Sequence, residues 1–170
     1  RGLGDVYKRQ GYTNEIVSYL KQEIESFGYE TFKTNKGALM VSVSGKDNER
    51  HRVVTAHVDT LGAIVRSIKP NGRLKIDLVG GFVYNSIEGE NCIVHVNKNN
   101  TKISGTILMH QISVHVYKGA STAERNQDNI EIRLDAKTSS KKETEDLGIQ
   151  VGDFISFDPR TTVSYTHLTL

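Results

Sequence analysis

From Thr13 the apolar residues Val17, Leu20, Ile24 and Phe27 recur at steps of three and four, which sets a single stripe along a helix. Thr13 or Asn14 can cap its start, and Gly28 can take the left-handed position past its end. Residues 29–34 then read as a strand and Asn35-Lys36-Gly37 as a turn. Leu39, Val41 and Val43 alternate with small or polar residues in a second strand. After a polar turn over 45–49, the β-branched pair Val53-Val54 opens a stretch that predicts a strand buried on both faces and ending in His57-Val58-Asp59. Helix, hairpin and buried strand together predict the opening of an α/β domain.

Past Asp59 the pattern changes to short alternating runs with no long helix. Residues 61–68 lead into Pro70-Asn71-Gly72, a hairpin signal, followed by Leu74, Ile76 and Leu78 in alternation. Cys92, Val94 and Val96 alternate, and Ile103, Gly105 and Ile107 continue on a strand that Gly105 lets bend. Val114 and Val116 flank His115, and Ile130, Ile132 and Leu134 form another run. Six or so strands in about 90 residues predict a small closed or nearly closed barrel. Between them, residues 120–128 read as a polar, mobile loop. Ser140 and Glu143 have the spacing of a capping box, with Leu147 as an apolar contact and Gly148 at the stop. Residues 151–155 return to extended structure.

Composition narrows the classes. The 170 residues are 36% hydrophobic and 25% charged with a net charge of +2, which fits a globular chain and gives no argument for nucleic acid. No apolar run approaches the roughly 20 residues of a membrane helix. Cys92 is the only cysteine, so neither an internal disulfide nor a multi-cysteine zinc site can form; it reads as a small core residue, and a reducing, cytoplasmic setting is expected. The ends, residues 1–10 (RGLGDVYKRQ) and 164–170, resemble translated adapter read-through and are set aside from the fold, so Tyr165 and His167 are expected to carry no function.

The chemistry centres on His57 and Asp59. Alternation in an extended chain puts both on one side, where a carboxylate can hold one ring N–H while the other ring nitrogen binds a metal. His51, His95 and His110 read as surface or strand-end residues. His115 draws attention only because a barrel loop can reach a neighbouring subunit or a substrate entrance.

Ala56-His57-Val58-Asp59-Thr60-Leu61-Gly62, Val79-Gly80-Gly81 and Glu88-Gly89-Glu90-Asn91, in this order, resemble peptidase family M-42, the tetrahedral and glutamyl aminopeptidases with their endoglucanase-like relatives. Asn35-Lys36-Gly37-Ala38 and the segment 139–153 (SSKKETEDLGIQVGD) resemble further elements of that family, so the likeness covers nearly all of residues 11–163.

The resemblance implies an α/β fold, α+β overall: a truncated zinc-peptidase catalytic domain interrupted by a small β-barrel. The expected organisation is a catalytic start at 11–60, a barrel insert at 61–156 and a return at 157–163, between non-native tails at 1–10 and 164–170. It implies two divalent metal ions, zinc or cobalt, which acidify a bridging water and polarise the scissile carbonyl, with a Glu as general base. By resemblance His57 is a metal ligand and Asp59 orients it. The general base and the remaining ligands belong to family segments that follow the return and are missing here, and Glu88 and Glu90 are not substitutes for them. The implied partners are a peptide substrate and copies of the same chain, a dodecamer in the parent, with no nucleic acid and no membrane. The implied function is an aminopeptidase fragment, inactive by itself. Two other readings stand beside it: a metal-dependent deacylase or carboxypeptidase of the related di-zinc superfamily, and a non-catalytic β-barrel module for assembly or binding. An all-β segment straight after Asp59 favours the first.

Overall fold

The computed structural model describes residues 13–47, 49–50 and 52–158, which fall into two compact units, one up to Thr60 and one from Leu61 onward. The expectations for residues 1–10, for His51, for most of the return at 157–163 and for Tyr165 and His167 lie outside the described residues.

In the first unit, helix α1 spans Asn14–Ser26. Gly28 takes a φ of +84° past its end, and its N–H closes on the carbonyl of Glu25 at 3.0 Å, so the stop works as its sequence predicts. The stripe is displaced from expectation. Ile16 is fully buried, Val17, Leu20 and Ile24 are half-buried, and Phe27 is exposed just beyond the last turn. Thr13 precedes the helix without a side-chain cap bond. Strands β1 (Thr31–Lys33) and β2 (Leu39–Val41) form an antiparallel hairpin around Gly37, whose φ is +89°.

The buried strand expected over 53–59 is not there. Residues 52–59 form no regular element, and Val53 and Val54 are 81% and 93% exposed. β-Branched residues favour extended backbone, but a strand is held by a hydrogen-bonded neighbour and by side chains on its faces. Among the described residues no strand lies beside this segment.

The second unit is a closed antiparallel barrel of six strands: β3 (Gly62–Ile68), β4 (Leu74–Val79), β5 (Asn91–Val96), β6 (Thr101–Met109), β7 (Ile130–Leu134) and β8 (Phe154–Phe157). Their order around the barrel is β3-β4-β7-β6-β5-β8, and β8 pairs back onto β3. Alternation places Val65, Leu74, Ile76, Val94, Ile107, Ile132 and Ile155 inside, each at most 1% exposed. Each such side chain contributes about 1.5–3 kcal/mol relative to exposure. Cys92 belongs to this core, and burial, with a smaller contribution from the charge of Asp135, pushes its thiol up to about 12.

Gly105 permits a close approach of two strands. A Cβ there would lie 2.8 Å from the Arg133 carbonyl oxygen and 2.9 Å from Ile132 Cγ2, so β6 and β7 can approach only because position 105 is bare. Helix α2 (Lys141–Asp146) carries the complete capping box: the Ser140 hydroxyl accepts from the Glu143 N–H, and the Glu143 carboxylate accepts from the Ser140 N–H. It docks on the β3–β4 turn, where Thr144 Oγ1 donates to the Gly72 carbonyl at 2.9 Å and the Lys141 N–H to the Pro70 carbonyl at 3.1 Å. Residues 151–152 turn, with Gly152 at φ +96°, before β8 begins. Val114, His115 and Val116 lie exposed in a run of turns, not on a strand.

Candidate functional site

His57 sits at the end of the irregular stretch, with a side chain 86% exposed, while the Asp59 side chain is 33% exposed. Nδ1 of the ring lies 3.3 Å from Asp59 Oδ1 and 3.2 Å from the Asp59 backbone carbonyl oxygen. Both neighbours only accept, so Nδ1 carries the proton and donates to them. That tautomer leaves the Nε2 lone pair turned out to solvent, the form in which a histidine ligates a metal. The structure therefore brings together the two residues that the sequence singles out, without the strand expected to carry them. Among the described residues no group of three or more His, Cys, Asp and Glu could hold a metal ion.

The other histidines have local partners or none of chemical consequence. The His95 ring contacts Ser156 Oγ at 2.8 Å on the outside of the barrel. His110 Nδ1 donates to the Asn129 carbonyl at 3.2 Å, at the end of β6. Glu88 has a structural use: its carboxylate takes Arg125 Nε at 2.8 Å, and Arg125 also donates to the Ala123 carbonyl at 2.7 Å.

That pair corrects the reading of residues 120–128 as a mobile loop. Besides Arg125, the loop is tied at its far end by Arg66, which donates to the Gln127 carbonyl at 2.8 Å and to Asp128 Oδ1 at 3.0 Å, and by Lys75, which donates to the Asp128 carbonyl. Asn129 closes it from within by donating to the Glu124 carbonyl at 2.8 Å. Polar composition here serves a network of hydrogen bonds.

Sequence reasoning missed a buried charge cluster on the same strands. Glu131, 1% exposed, faces outward between Ile130 and Ile132 and pairs with both Lys69 and Arg73. Burial pushes its carboxyl upward, but the hydrogen bonds and charges of Lys69 and Arg73 together outweigh this and leave it below the ordinary carboxylate range. The only sequence signal was a charged residue in an alternating strand, which reads as a solvated face.

No helix among the described residues is long and apolar enough to cross a membrane. The sequence profile described as M42 glutamyl aminopeptidase matches residues 37–169. YhfE of Bacillus subtilis (strain 168), provisionally named an aminopeptidase, is 54% identical over 154 residues, 91% of this chain and 44% of its own length. A TET aminopeptidase from a marine-sediment Thaumarchaeota archaeon superposes with a TM-score of 0.76 at 24% identity, over 90% of this chain and 41% of that one. The TET1 peptidase of Pyrococcus horikoshii, described as assembling into a tetrahedron or a large octahedral shell, gives 0.72 at 22% identity, over 97% and 46%. The chain thus spans less than half the length of each of these three.

Proposed function

Because this chain belongs to the M42 glutamyl aminopeptidase family, we propose that it is a piece of a dinuclear-metal aminopeptidase that removes N-terminal residues from peptides. One observation carries the reading: His57 holds its Nδ1 proton against Asp59 and offers Nε2 to solvent. His57 would bind one of two zinc or cobalt ions through Nε2. Asp59 would fix the ring's tautomer and orientation and raise its basicity. When bound, such ions acidify water and polarise a carbonyl.

One imidazole with one orienting carboxylate falls short of the roughly four donors that a zinc site takes. The remaining ligands and the Glu general base are therefore assigned to the part of the relatives that this chain does not span, and the chain alone is inactive. In the complete protein, residues 11–60 would begin the catalytic domain, and 61–156 would be the barrel inserted into it. Strands from the missing part would cover the exposed Val53-Val54 stretch and complete its ladder. The parent would act in the cytoplasm as a homo-oligomer, a dodecamer by family resemblance; the assembly of the TET1 relative supports self-association.

Extending the reading frame tests this. The added sequence should bring Asp, paired Glu, Asp and His residues, and the complete protein should cleave aminoacyl-nitroanilides in a way that chelators stop and His57→Ala abolishes. A complete protein lacking those residues, or one fully active as His57→Ala, would refute the proposal.

A further inference from the structure

On the outer face of the barrel, β4 and β7 pair antiparallel with Leu74 opposite Ile132. Both of those side chains point inward, and the residues that flank this pair, Arg73 just before β4 and Arg133 on β7, both line one cleft on the outer face. Like charges brought close together repel. Arg73 is partly compensated because one guanidinium nitrogen donates to Glu131. Arg133 is exposed, and among the described residues it makes no ion pair. Further cations lie nearby: the Lys75 ammonium is pushed below its ordinary value by burial and then by the charge of Lys69, against the opposing charges of Glu131 and Asp128.

Arg73 and Arg133 line a cleft of about 300 Å³ together with Asn71, Thr138 and Ser139. That volume stands at the small end of the range for small-molecule sites, about 300 Å³ upward. The walls are fixed before any ligand arrives. Thr144 and Lys141 bind the turn at Gly72 and Pro70, so α2 and the β3–β4 hairpin are held together. The lining also holds side-chain donors with spare capacity. The Asn71 carbonyl oxygen accepts from the Arg73 N–H at 3.2 Å, which leaves its NH₂ group for a ligand. Ser139 commits its hydroxyl proton to Glu143 at 3.0 Å, so the remaining side-chain donors are Asn71, Thr138 and the two guanidiniums.

We propose that this cleft binds a phosphate group, as the free ion or on a small molecule. A planar guanidinium fork matches phosphate oxygens two at a time, and a dianion between Arg73 and Arg133 turns their repulsion into shared attraction. The site lies entirely within the barrel unit and does not depend on the peptidase reading.

The test is calorimetric titration of the 170-residue chain with inorganic phosphate, ionic strength being held constant with sodium chloride. Saturable binding is expected, weakened at least about tenfold by Arg133→Gln, the loss of a charge-assisted pair of hydrogen bonds. Arg133→Lys should recover part of it. Since the Arg133 side chain makes no hydrogen bond or ion pair among the described residues and lies near the Arg73 charge, the thermal midpoint of Arg133→Gln without phosphate should match or slightly exceed that of the unsubstituted chain, so a loss of binding is not a loss of fold. Thr138→Ala supplies a second, milder lesion, expected to weaken binding a few-fold. Absence of saturable binding, equal affinity in Arg133→Gln, or acetate binding as tightly as phosphate would each overturn the proposal.

Discussion

The Nδ1 edge of His57 faces Asp59 twice over, 3.3 Å from its carboxylate and 3.2 Å from its backbone carbonyl, which settles the ring's tautomer before any metal is present. A ring held this way is a good ligand, but it is one ligand. Calorimetry on this chain should find zinc affinity no tighter than micromolar, and His57→Ala should change it little. Nitrogen-15 correlation spectra should show the neutral ring protonated at Nδ1. Sub-micromolar zinc binding lost in His57→Ala would mean that this chain already holds a full ligand set.

Glu131 offers a sharper test of stability. Replacing it by Gln leaves Lys69 and Arg73, whose side chains are partly exposed, without their shared buried carboxylate, and should destabilise the barrel by about 1–3 kcal/mol. Its folded pKa is depressed, so the stabilisation is fully present above the unfolded carboxyl value of about 4.3 and is lost as pH falls through the lower folded value. Chemical denaturation between pH 3 and 7 should therefore show an acid-side slope that shrinks in Glu131→Gln. An unchanged slope would mean that the ion triad does not form in solution.

Gly105→Ala should cost about 1–3 kcal/mol, because the added methyl meets backbone of β7 at 2.8 Å, where nothing can rotate away. Gly81 has open space around its Cβ position, and Gly81→Ala should stay within about 0.5 kcal/mol of the parent. Urea midpoints of the two variants make the comparison, and similar values would contradict the tight β6–β7 contact.

The Arg125–Glu88 pair should govern the order of its loop rather than the stability of the barrel. Arg125→Ala is expected to speed limited proteolysis within residues 110–128 several-fold, while the denaturation midpoint moves by about 1 kcal/mol or less. Cleavage at the parent's rate would show that Arg66 and Lys75 suffice to hold the loop.

Much of the fold was legible because its signals are local. Alternation marked the strand Ile130–Leu134 to the residue and ran through Cys92, Val94 and Val96 of Asn91–Val96, and Ser140 with Glu143 announced a cap that forms as spaced. Gly28 gave the end of α1 for the same reason: a left-handed stop concerns one residue and the turn before it.

What the sequence determined by itself was the alternating runs of the barrel strands with their inward faces, and the pairing of His57 with Asp59 two residues away. Tertiary structure decided the order around the barrel, the bare approach at Gly105, the burial of Glu131 and the tether on residues 120–128. Each of these depends on groups brought together from distant parts of the chain, such as Lys69 and Glu131, 62 positions apart. The Val53-Val54 stretch shows the converse. Its residues favour a strand, yet it stays irregular where, among the described residues, no neighbouring strand stands beside it, because backbone hydrogen bonds in a sheet need two partners and propensity supplies only one.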